Sequence, residues 1–197
     1  TRFDRVIQIA ENPIDLPIIR EFVNNEKCLV AGSTWQADEI ILAKYHEKNP
    51  NLKLIIVPHE IDNEHITKTL QLFKNKVVLY SEVKNIQLSD YKVMIINTIG
   101  ILSSVYKYAN IAYIGGGFGA GIHNILEAAV YGIPVIFGPK YKKFKEAIDL
   151  IDNNAAFSIK DYYQFEQTIG KLCNSPKTYQ TAQSQAKEYV FSNKGAS

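Results

Sequence analysis

Between Asn110 and Glu127 an apolar run opens into Gly115-Gly116-Gly117-Phe118-Gly119-Ala120-Gly121, five glycines in seven residues, and then into Ile122-His123-Asn124-Ile125-Leu126-Glu127. Glycine tolerates positive φ and lets backbone N–H groups come close to a ligand. A helix beginning at Ile122 would add unpaired donors and about half a positive charge. That is chemistry for an anion, with Gly116, Gly117, Gly119 and Gly121 as its cradle. A β-branched side chain at Gly119 is expected to resist positive φ and fill the ligand's space. On such a helix His123, Asn124 and Glu127 occupy i, i+1 and i+4, which puts His123 and Glu127 on one face. A carboxylate there can accept two hydrogen bonds from a vicinal diol such as ribose, each about 1.5–3 kcal/mol. A nucleotide sugar offers both phosphate and diol. The competing reading is a tight turn with Glu127 facing the helix dipole, but five glycines exceed a turn's needs. His123 alone suits a helix cap as well as a ligand contact.

Two weaker positions accompany this stretch. Gly32-Ser33-Thr34 forms a strand-to-helix turn that suits a second anion contact, although Ser33 also serves as an N-cap paired with Gln36. His59, just past Pro58, either borders the same crevice or is a solvated loop residue. His46 and His65 lie in helical patterns and are expected on the surface, and Trp35 and Tyr45 are expected to pack. Gly115, Gly117 and Ala120 match G-x-G-x-x-A, but a dinucleotide fingerprint belongs to the first βα turn with an acid about twenty residues on. Here the loop follows the fifth strand and the corresponding stretch is Val135-Ile136-Phe137-Gly138-Pro139.

Elements that position such residues are legible as alternating short β-branched runs and amphipathic stretches, the mark of repeated βα units. Strands are expected at 27–31, 52–57, 77–80, 92–97, 110–114 and 134–137, with a possible seventh near 155–157. Helices are expected from Ser33 to Asn49, over 64–73, 100–108, 124–131, 142–151 and 162–173, and from Pro176 behind Ser175, with Tyr179, Ala182, Ala186 and Val190 as a buried stripe. In the first helix Ala37, Ile41 and Tyr45 form the buried face, and Asp38 and Glu39 complement the dipole. The fold class is therefore α/β, a Rossmann-like doubly wound parallel sheet of about six strands, with the ligand crevice beyond the strand ends where order reverses, between strands one and four. Residues 1–25 read as a connector, extended over 1–9, with a short helix at 18–24. Residues 26–197 form the nucleotide-sugar-binding domain, and the tail 192–197 is expected to fray.

The 197 residues are enough for one well-buried domain, and 46% hydrophobic with 21% charged residues is ordinary for a soluble globular chain. A net charge of +2 gives no global reason for a nucleic-acid or membrane partner, so any anion site must be local. Cys28 and Cys173 lie too far apart in sequence for a disulfide framework or a metal motif. The chain opens on Thr1 and its only methionine is Met94, from which it is expected to be a piece of something longer.

Gly32-Ser33-Thr34 followed by Asp38-Glu39, then Gly115-Gly116, then Gly121-Ile122-His123-Asn124-Ile125-Leu126-Glu127-Ala128, resemble the Kdo (3-deoxy-D-manno-octulosonic acid) transferase family of lipopolysaccharide synthesis. The opening Thr1-Arg2-Phe3-Asp4-Arg5-Val6 is similar to that family's interdomain segment. The resemblance implies the C-terminal half of a GT-B glycosyltransferase, an enzyme that moves Kdo from the donor CMP-Kdo to a lipid A precursor with inversion and without a metal or cofactor. It implies action at the cytoplasmic face of the bacterial inner membrane by the full-length protein, the fragment itself being soluble and binding no nucleic acid. Carried onto matching positions, Ser33, Thr34 and the loop from Gly116 to Asn124 would contact phosphate and sugar, Glu127 the ribose, and Gly100 the nucleotide pocket, while the general base would lie in an N-terminal domain. The sequence departs from the family at Asn97 (Asp in the pattern), Ile101 (Glu) and Trp35 (often His), and its Pro58-His59-Glu60 lacks the family's arginine. Two other readings stay open: a GT-B enzyme using a UDP- or GDP-sugar, and a non-catalytic nucleotide-sugar-binding module.

Overall fold

The computed structural model describes residues 1–74 and 76–195. Its core is a seven-stranded, all-parallel sheet in the order β3-β4-β2-β1-β5-β6-β7. The strands are β1 (Cys28–Thr34), β2 (Lys53–Pro58), β3 (Val77–Leu79), β4 (Val93–Ile95), β5 (Ile111–Ile114), β6 (Val135–Phe137) and β7 (Ala156–Ser158). The expected doubly wound class holds, with the seventh strand formed. Every strand residue from Leu54 to Val57 and from Ile111 to Ile114 is buried, because helices cover both faces and each strand is apolar on both sides. Alternate residues divide between two clusters: Val30, Ile55, Met94, Ala112 and Val135 on one face, Leu29, Leu54, Val93, Tyr113 and Ile136 on the other.

The first face is covered by α1 (Arg2–Glu11), α2 (Pro17–Val23), α5 (Leu102–Val105), α6 (Leu126–Ala129) and α7 (Lys145–Asp152), the second by α3 (Gln36–Lys48), α4 (Asn63–Gln71) and α8 (Tyr162–Asn174), and α9 (Pro176–Ser192) reaches both, with Ala182 in the second cluster and Ala186 and Val190 in the first. Ser175 caps α9 by accepting from Thr178 N–H, and Ala182, Ala186 and Val190 are buried as expected. Residues 196–197 of the expected frayed tail lie outside the described residues.

Strand order corrects the expected crevice. β4 lies beyond β2, so β1 is flanked by β2 and β5, and order reverses between β1 and β5. The segment 1–9, expected to be extended, instead lies in helix α1 (Arg2–Glu11) from its second residue on, and the helix start is fixed by a capping box between Thr1 and Asp4. α1 buries Val6 and Ile7, and α2 buries Ile19 and Phe22, all in the first core cluster. Ser33 is not a helix cap. β1 runs on to Thr34 through a bulge at Ser33, whose φ is +53°, and α3 begins at Gln36 with Trp35 as its cap and Asp38 accepting the Trp35 N–H at 2.9 Å. In α3 Ala37 is exposed, and the buried positions are Asp38, Glu39, Leu42, Ala43, Tyr45 and His46. His46 is therefore a core residue, its Nε2 3.0 Å from the Leu52 carbonyl.

Candidate functional site

At the reversal point the bulge after β1 and the glycine loop after β5 meet backbone to backbone. A Cβ on Gly115 would lie 2.2 Å from the Ser33 carbonyl oxygen, and one on Gly117 2.6 Å from Gly138 Cα in the loop after β6. Gly116 (φ +91°) would meet the Gly121 carbonyl at 2.4 Å. Much of the glycine content thus serves close packing of three loops, a requirement that motif reading did not separate from ligand approach. Gly119 has no positive φ, and its added Cβ would touch nothing nearer than 3.6 Å. The strain expected there is absent.

Several loop N–H groups are already engaged. Gly119 and Gly121 both donate to the Gly116 carbonyl, His123 donates to that of Gly115, and Gly116 donates to Asp38 Oδ2 at 3.0 Å. The open donors of a cradle must therefore come from elsewhere in the loop. α6 begins only at Leu126 and has four residues, so Ile122 to Asn124 lie in an irregular segment and not in a first helical turn. His123 and Glu127 accordingly do not share a helix face.

Asp38 is the hub that sequence reasoning missed. It is 1% exposed and accepts from Tyr113 OH at 2.6 Å, Gly116 N–H and Trp35 N–H, tying β5, the glycine loop and the start of α3 together. Burial pushes its carboxyl above the usual range, against the lowering effect of those three donors. Glu39, also 1% exposed, accepts from Thr34 Oγ1 (2.9 Å) and Thr69 Oγ1 (2.8 Å) and meets His65 Nε2 at 2.9 Å. Thr34 is fully buried, so its hydroxyl is committed to holding the bulge, and His65 is a structural partner and not the free surface residue expected.

Glu127 is half-buried at the other side of the loop. Ser103 Oγ donates to Oε2 at 2.8 Å and Asn124 Nδ2 to Oε1 at 2.9 Å. A carboxylate has about four acceptor positions, so two remain for a ligand. His59 is brought into the crevice: its ring stacks on Trp35 (4.8 Å) and on His123 (4.4 Å), while its backbone N–H donates to the Thr34 carbonyl at 2.9 Å. Trp35 Nε1–H donates to His123 Nε2 at 3.1 Å. Gly100 (φ +91°) is exposed past the end of β4, two strands from β1, and Asn97 bonds Ser81 through both side-chain atoms. Among the described residues no cluster of three or more His, Cys, Asp and Glu is placed to hold a metal, and no helix is long and apolar enough to cross a membrane.

Comparison with known proteins found no matching family model. A 3-deoxy-D-manno-octulosonic acid transferase of Aquifex aeolicus is 31% identical over 156 residues, 76% of this chain and 42% of that protein. A bifunctional glycosyltransferase/methyltransferase of Fusobacterium nucleatum is 28% identical over 163 residues, 79% of this chain and 25% of that protein. The chain thus spans less than half the length of these relatives. Among solved structures, the C-terminal CMP-Kdo binding domain of WaaA from Acinetobacter baumannii superposes with a TM-score of 0.73 at 23% identity, covering 96% of this chain and 97% of that one. The fold is that of the C-terminal half of a GT-B glycosyltransferase.

Proposed function

The chain is a sequence relative of the Kdo transferases, and from that premise we propose that it is the donor-binding half of an inverting glycosyltransferase that transfers Kdo from CMP-Kdo to a lipid A precursor. The observation that carries the reading is Glu127. Its carboxylate is pre-set by Ser103 and Asn124 beside the glycine loop, with two acceptor positions left, the arrangement a ribose diol requires.

In this reading the phosphate lies over the loop from Gly116 to His123, with Ser33 at the β1 bulge and His59 and His123 as ring contacts. Thr34 acts by shaping the bulge, since its hydroxyl is held by Glu39. Gly100 belongs to the outer wall on the β4 side. Oriented donors set in advance stabilise the leaving phosphate, so no metal is required, and EDTA should leave CMP affinity unchanged. The acceptor and the general base belong to an N-terminal domain, and the whole protein works at the cytoplasmic face of the inner membrane.

Isothermal titration with CMP, UDP and GDP tests the reading. Preferential binding of CMP, lost in Glu127→Ala, is expected. Tighter binding of UDP or GDP would move the chain to a different donor class, and no binding of any nucleotide would overturn the proposal.

A further inference from the structure

Three rings cluster at the crevice. His59 stacks on both Trp35 (4.8 Å, 29° between planes) and His123 (4.4 Å, 24°), and those two meet edge to edge, the indole Nε1–H reaching His123 Nε2 at 3.1 Å. An indole N–H only donates. His123 Nε2 is therefore an acceptor, and the neutral ring carries its proton on Nδ1. Turning the ring over would set a C–H against the indole N–H and lose the bond. The Nε2 edge is also seated against the loop, since a Cβ on Gly116 would lie 3.0 Å from His123 Cδ2 and 3.2 Å from Nε2.

We propose that Trp35 is a positioning residue: it holds His123 as the neutral Nδ1–H tautomer, so that the ring offers one hydrogen-bond donor to the phosphate of a nucleotide sugar. The proposal rests on the donor-binding reading above. Among the described residues no protein group bonds His123 Nδ1, which leaves that donor for a ligand. Protonation would place an Nε2–H against the indole N–H, so Trp35 also opposes the imidazolium. The charged groups facing the ring act in the same net direction: burial and His59 from the end of β2 lower its pKa, outweighing Asp38 from α3, which raises it. A neutral, oriented donor is thereby kept through the physiological range.

The test uses ¹⁵N long-range imidazole spectra of the chain with and without CMP, on the parent and on Trp35→Phe, which keeps an aromatic ring and removes the N–H. In the parent, Nδ1 is expected to be protonated and Nε2 bare. In Trp35→Phe both tautomers should be populated, the His123 titration should rise toward the ordinary histidine value, and CMP affinity should fall about three- to tenfold. An Nε2–H tautomer in the parent, or a Trp35→Phe spectrum and CMP affinity equal to the parent's, would overturn the proposal. Should Trp35→Phe fail to fold, the parent decides: CMP is expected to shift the His123 Nδ1 resonance, and a His123 that stays unmoved while amides around Glu127 shift overturns it. A spectrum in which CMP moves nothing overturns the donor-binding reading itself, and the ligand role of His123 with it.

Discussion

Glu127 holds two hydrogen bonds from neighbours that are themselves part-exposed, so its removal leaves no deeply buried donor unmet. Glu127→Ala should weaken CMP binding by about 1.5–3 kcal/mol, the range for a hydrogen bond to a charged group, with the melting temperature nearly unchanged; calorimetry and thermal melts check the two halves. The histidines make a second prediction. Burial lowers the pKa of both His46 and His123, so the unfolded chain binds protons more readily than the folded one. Their contribution to stability is then complete above about pH 6.5 and declines as the pH falls from there through the lowered folded values. Urea unfolding at about pH 7.5 and about pH 5.5 should show the loss, and the double variant His46→Asn/His123→Asn should flatten the slope. Residue types alone made Glu127 and the glycines visible because their spacing is local. Asp38 was readable only as a dipole acid, since its partners Tyr113 and Gly116 are 75 and 78 positions away. His46 was misplaced for a different reason: its partner is near in sequence, but the Leu52 carbonyl meets it only because the turn into β2 folds back on α3.

The strands were legible as elements because both faces of each are buried, which leaves uninterrupted apolar runs. Their lateral order was not, because a crossover's destination depends on which helix faces pack, and nothing in the β4 run says that β2 separates it from β1. The helix after the glycine loop was overextended for a related reason. His123 is drawn to Trp35 and His59, tertiary contacts that outweigh the helical propensity of Ile122 to Asn124. At this scale the glycine loop is a clamp between β1 and β6, and its positions should differ sharply. Gly115→Ala sets a methyl 2.2 Å from a backbone carbonyl, which backbone cannot yield cheaply, so a loss of at least about 2–3 kcal/mol is expected. Gly119→Ala has room and no positive φ, and should stay within about 1 kcal/mol of the parent. Chemical denaturation of the two variants side by side checks this; equal losses would mean the loop does not pack as described.

Seven parallel strands with both faces covered by helices make a core that needs no partner to close it. The chain should therefore unfold cooperatively by itself, with coincident transitions in far-ultraviolet circular dichroism and aromatic fluorescence. Sugar transfer asks for more than a fold. The acceptor hydroxyl must be held in line with the donor, and a base must stand within hydrogen-bond reach of its proton. On the proposed reading this half supplies one wall of the crevice, since the candidate acids that face it are already engaged: Asp38 and Glu39 are buried under three partners each, and Glu127 is reserved for ribose. Donor affinity without the facing wall should be modest, about millimolar, or about 4 kcal/mol. Incubating the chain with CMP-Kdo and a lipid A precursor, and following product by mass spectrometry beside a full-length Kdo transferase, is expected to show CMP-dependent protection of the chain against heat but no transfer. Turnover near the full-length rate would place the general base within these residues, and Asp38, with its raised pKa, would be the first group to substitute.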